Sequence, residues 1–79
     1  MLNALKKGFN LDDDSYLTYP SASARRDALA KHCAARGWSY EFTGEDADSN
    51  PLATVEGVPS VLVVKGPFRG GYRVFCREV

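Results

Sequence analysis

Cysteine and histidine are scarce in this chain, with two of the first and one of the second among 79 residues, and each scarcity excludes a class of chemistry. Cys33 and Cys76 are too few and too far apart for a disulfide scaffold or a Cys-x-x-Cys motif, and they read as small buried hydrophobes. His32 and Cys33 would point about 100° apart on a helix, so the pair cannot chelate one metal. No nucleophile-elbow motif brings a serine to His32. No catalytic residue, no metal site and no cofactor is therefore expected. Excess charge is also missing: ten acidic and ten basic residues cancel, leaving no long-range field toward nucleic acid or an anionic membrane. The longest aliphatic run, Val61-Leu62-Val63-Val64, falls far short of the about 20 apolar residues that a spanning helix needs. The N-terminus reaches Asp12-Asp13-Asp14 before an apolar signal region can form. These absences together predict a soluble, cytoplasmic protein without membrane contact.

The residues that are present describe a folded domain. A hydrophobic content of 44% with 25% charged residues is ordinary globular composition, and this length supports one hydrophobic core. We expect a single domain over 1–79, with 1–14 as an N-terminal extension and 16–79 as the core. Met1, Leu2, Leu5 and Phe9 have near-helical spacing, and Asp12-Asp13-Asp14 reads as a charged turn. Tyr16 to Tyr19 has the composition of a short strand ended by Pro20. A helix is predicted over 22–36, capped by Ser21 or Ser23 and closed by Gly37, with Ala22, Arg26, Leu29, Ala30 and Cys33 on one face. Trp38, Tyr40 and Phe42 alternate with polar residues and predict a strand whose aromatic face is core.

Residues 44–57 read as an acidic loop with a short ordered stretch from Leu52 to Val55. Asp46-x-Asp48-x-Asn50 has the first ligand positions of a calcium loop, but Pro51 and Gly57 stand where such a loop needs glycine and glutamate, so a solvated loop is expected. Val61 to Val64 is apolar on both alternations, as in a strand buried on two sides. The last segment has two periods. Tyr72, Phe75, Cys76 and Val79 fit a helix, whereas Tyr72, Val74 and Cys76 alternate with Arg73 and Arg77 as in a strand.

The order of elements, with Tyr19-Pro20 before a helix, Trp38-Ser39-Tyr40-Glu41 after it, then Gly57-Val58-Pro59-Ser60 and Gly70-Gly71-Tyr72, resembles the glutaredoxin-like branch of the thioredoxin fold over residues 16–79. The resemblance implies an α/β fold, a small reduced thioredoxin-like sheet with one main helix over 22–36. It also implies a cis bond at Val58–Pro59, a tight turn at Lys65-Gly66, a helix over 72–79 and a binding groove between Ser23 and Pro59. The family's thiol chemistry does not transfer, because its Cys-x-x-Cys window falls at Ser23-Ala24-Arg25-Arg26. The alternative is α+β with an antiparallel C-terminal hairpin.

Two surfaces are candidates for binding. Lys65, Arg69, Arg73 and Arg77 are interleaved with Phe68, Tyr72 and Phe75, a combination that binds phosphates and stacks bases. Arg25, Arg26 and Lys31 form a second basic group, opposite in sign to the Glu45 to Asp48 loop and suited to a protein partner of complementary charge. The binding candidates are thus Ser23, Arg25, Arg26, Val58, Pro59, Arg69, Tyr72 and Arg73. The leading expectation is a non-catalytic binding or regulatory protein acting through a protein partner, such as a phage or mobile-element inhibitor of a host enzyme. The alternatives are a glutaredoxin-like thiol or glutathione-binding protein and a small single-stranded nucleic-acid binder.

Overall fold

Ser21 starts the longest helix of the computed structural model, which describes residues 8–11 and 16–79. Its hydroxyl accepts from the Ala24 N–H at 3.1 Å, leaving Ala22–Arg36 helical (α1) with Gly37 in the left-handed conformation behind it. The strands are β1 Phe9–Asn10, β2 Tyr40–Glu45, β3 Pro51–Val55, β4 Val58–Phe68 and β5 Gly71–Glu78. They form one five-stranded sheet in the order β1-β5-β4-β3-β2, every neighbouring pair antiparallel. This is the α+β arrangement with an antiparallel C-terminal hairpin. The expectations for residues 1–7 and for Asp12-Asp13-Asp14 lie outside the described residues.

α1 covers one face of the sheet. Arg25, Leu29, His32 and Cys33 are buried on it, against Ala53, Val55, Leu62, Val74 and Cys76. That helix face is rotated from the expected one: Leu29 and Cys33 are on it, but Arg25 and His32 take the places foreseen for Arg26 and Ala30. His32 fits because aromatic rings receive it, Phe9 stacking at 4.9 Å and Trp38 lying tilted at 5.6 Å.

Four expectations about local structure are corrected. Residues 72–78 belong to a strand, not a helix: the eleven-residue β4 offers a partner along the whole of β5, so the two-residue alternation prevails over the helical period. Among the described residues the cis bond is Gly66–Pro67, not Val58–Pro59. Lys65-Gly66 is no turn but part of β4, whose register with β5 breaks between Lys65 and Phe68, and the chain reverses at Arg69-Gly70. Tyr16 to Tyr19 supplies only a bridge, Tyr16 paired with Tyr72.

A fifth correction concerns burial. Tyr40 and Phe42, expected in the core, are 40% and 37% exposed. The pairs Tyr40–Val55 and Phe42–Ala53 put them on the helix-covered face. However, β2 is an edge strand of the described sheet, and its residues are exposed throughout. Trp38 does pack against the core from just outside the strand. By contrast, Val61 and Leu62 are buried in the central strand as expected, whereas Val63 and Val64 are only half-buried.

Gly71 is the tightest point of the C-terminal hairpin. Its φ is +110°, and a Cβ there would collide with the Tyr16 carbonyl oxygen, in the segment that exchanges hydrogen bonds of 2.9 and 2.7 Å with Tyr72. A Gly71→Ala protein is expected to lose about 2 kcal/mol, from positive-φ strain plus displacement of Tyr16. Thermal denaturation should register this as a Tm fall of roughly 10 °C, and an unchanged Tm would refute the tight approach.

Candidate functional site

The face of the sheet away from α1, which no other described element covers, is where the basic residues of the last hairpin gather. Antiparallel register puts directly opposed residues on the same side. Lys65 opposes Arg73, Val63 opposes Phe75 and Val61 opposes Arg77, while Leu62 opposes Cys76 on the helix side. Asn10 joins the open side opposite Phe75. This side therefore carries half-buried Val63 and Phe75 next to the buried Val61, with cations around them. The Lys65 ammonium sits 3.9 Å from the centre of the Phe75 ring.

At the turn end of the hairpin this surface deepens into a shallow cavity of about 570 Å³ lined by Asn10, Lys65, Phe68, Arg69, Gly70 and Arg73. Among the described residues its lining contains three cations and no carboxylate, and Phe68 is 54% exposed. Among the described residues, none of Lys65, Arg69, Arg73 and Arg77 is in an ion pair. Two like charges directly opposed across a sheet repel one another; Lys65 and Arg73 are placed so, with Arg69 as a third cation beside them.

No protein-family model, curated protein or solved structure matches the chain. The site is therefore read from its own geometry.

The eight candidate residues do not form one site. Arg69 and Arg73 line the cavity. Tyr72 points to the helix side, its ring edge-on to Tyr19 at 5.5 Å and its backbone tied to Tyr16. Val58 and Pro59 lie at the other end of β4. Pro59 opposes Thr54 and faces the open side, whereas Ser23 is exposed on the helix covering the other side, so the two do not enclose a groove. Arg26 sits 3.9 Å from Glu45.

Arg25 is a structural group, only 5% exposed. It donates to the Leu62 carbonyl at 3.1 Å and to Asn50 Oδ1 at 2.6 Å. Asn50 in turn belongs to the acidic loop, where the Asp46 carboxylate accepts from the backbone N–H groups of Asp48 and Asn50, both at 2.9 Å. These bonds, led by that from Asn50, lower the Asp46 pKa. The loop oxygens are thus directed to the loop's own donors.

The cysteines are buried and free. Burial pushes the Cys76 thiol up to about 11 and also raises Cys33. Among the described residues, no helix is long and apolar enough to cross a membrane. Asn10 and Gly70 were not foreseen in the site. Asn10 arrives through β1–β5 pairing, a contact between the two ends of the chain that leaves no local signal.

Proposed function

We propose that the protein is a non-catalytic binding domain whose open sheet face takes single-stranded nucleic acid. The observation that carries this reading is the cavity bounded by Lys65, Arg69 and Arg73 beside the exposed Phe68 ring. Cations that follow a phosphate backbone next to an aromatic surface are the two components of sequence-tolerant single-strand binding. Arg73 and Arg77, on the same side of β5 and roughly 13 Å apart along an extended strand, continue the basic track away from the cavity.

The test is a salt titration with fluorescent oligothymidylate. Three or four phosphate contacts give a slope of about −2 to −3 for log K against log salt. Affinity should therefore fall roughly 20- to 50-fold between 50 and 200 mM salt. Arg73→Ala should flatten the slope by about 0.7, and Lys31→Ala, on the exposed side of α1, should not change it. Absence of saturable binding at 50 mM salt, or indifference to Arg73→Ala, refutes the proposal.

A protein partner is the second reading. It is favoured by the outer edge of β2, where exposed Tyr40 and Phe42 pack edge to face at 5.6 Å beside a strand with one neighbour among the described strands. If no nucleic acid binds, that edge is the surface through which a non-catalytic domain would act.

A further inference from the structure

We infer that the cavity at the β4–β5 turn is an end-binding subsite, holding the terminal nucleotide of a single strand through its phosphate monoester. The inference rests on the single-strand reading and adds to it a place where the strand stops.

The lining matches the parts of one nucleotide. Lys65, Arg69 and Arg73 surround the cavity, which gives three cations for one phosphate. A backbone phosphodiester carries a single negative charge, and one cation would balance it. A terminal phosphate monoester carries about −1.5 to −2 at pH 7, with three acceptor oxygens, and suits converging donors far better. Guanidinium groups such as those of Arg69 and Arg73 can engage two of those oxygens at once. Lys65, held over the Phe75 ring at 3.9 Å, acts as a point charge.

The remaining lining is suited to the base. The exposed face of Phe68 offers a stacking surface, Gly70 has no side chain to obstruct it, and the Asn10 amide carries both donors and an acceptor for a base edge. The volume of about 570 Å³ lies within the range of pockets that enclose small ligands, well beyond the need of a phosphate group alone. Clustering three cations there is unfavourable in the free protein, since Lys65 and Arg73 oppose one another directly. A dianion removes that repulsion.

The experiment compares three oligothymidylates of eight nucleotides, one with a 5′-phosphate, one with a 3′-phosphate and one with hydroxyls at both ends. One phosphorylated form is expected to bind about tenfold more tightly than the hydroxyl form at pH 7.5, and which of the two does so identifies the end that is read. The preference should shrink severalfold at pH 5, where the monoester is singly charged because its second pKa is about 6. Among the described residues the cavity is lined by no histidine or carboxylate, and a pH response present with the phosphorylated oligomer but absent with the hydroxyl oligomer assigns the proton to the ligand. Arg69→Ala, an exposed turn substitution, should abolish the preference while the hydroxyl oligomer still binds through the Arg73 and Arg77 track. Equal affinity for all three oligomers, or a preference untouched by pH and by Arg69→Ala, overturns the subsite and leaves strand binding intact. Failure of every oligomer to bind overturns the single-strand reading itself, and the subsite with it.

Discussion

Arg25→Ala should destabilise the protein by about 3 kcal/mol, whereas Arg26→Ala, one residue on, should change stability by less than about 0.5 kcal/mol. The difference comes from a gap in the sheet. The two-residue turn Glu56-Gly57, both residues with positive φ, makes Val55 and Val58 a hydrogen-bonded pair. Two steps further along the register is Ala53–Ser60, and two more would be Pro51 opposite Leu62. There the ladder calls for an N–H from residue 51 to the Leu62 carbonyl, and proline has none. The Arg25 guanidinium fills that position at 3.1 Å and extends to Asn50 at 2.6 Å.

Truncating Arg25 strands a buried carbonyl at the centre of the sheet and removes the tie to the 46–50 loop, each costing about 1–3 kcal/mol. Arg26 is partly exposed, in an ion pair at 3.9 Å, and such pairs contribute little. Urea unfolding of both variants measures the contrast. A double-mutant cycle examines the cause: Pro51→Ala restores a backbone N–H and should recover part of the loss in the Arg25→Ala protein. Additive effects of the two substitutions would contradict the shared acceptor.

Native Cys76 should react with a disulfide reagent at pH 8 at least about a hundredfold more slowly than in the unfolded chain, since a thiol pushed up to about 11 leaves little thiolate there. Its side chain is buried opposite Leu62; that burial is the main cause of the shift, and Cys33 adds to it. Because the folded state holds this proton more tightly, the corresponding stability is intact below the ordinary cysteine range and is lost as pH rises toward 11. The alkaline fall in stability should therefore be shallower in Cys76→Ala. A native cysteine that reacts at the unfolded rate would contradict the packing and favour the thiol-binding alternative. The raised pKa values of both cysteines weigh against that alternative, since thiol chemistry needs a depressed one.

What was legible in the sequence was local. Helix 22–36 has its cap, its composition and its closing glycine within its own length, and α1 spans those residues. The apolar run at Val61 to Val64 signalled a strand inside the sheet, because both of its faces are apolar and only a central position accepts that. The 65–77 segment was recognisable as basic and aromatic. Its two competing periods could not be separated within the segment, however, and the length of β4 as a partner resolved them. Tyr40 and Phe42 show the complementary failure: their alternation specifies a strand with one apolar face, but at an edge position α1 does not cover them and they stay exposed.

The sequence by itself thus determined the helix, the central strand and the scarcity of catalytic groups, since each depends on neighbours within a few residues or on composition. Tertiary structure alone decided that Arg25 is buried and Arg26 is not, because the demand for a donor arises at Leu62, thirty-seven residues away. It also decided that Asn10, Lys65, Phe68, Arg69 and Arg73 share one cavity. That grouping follows from antiparallel register and from which face the helix covers, properties that no single stretch of the chain contains.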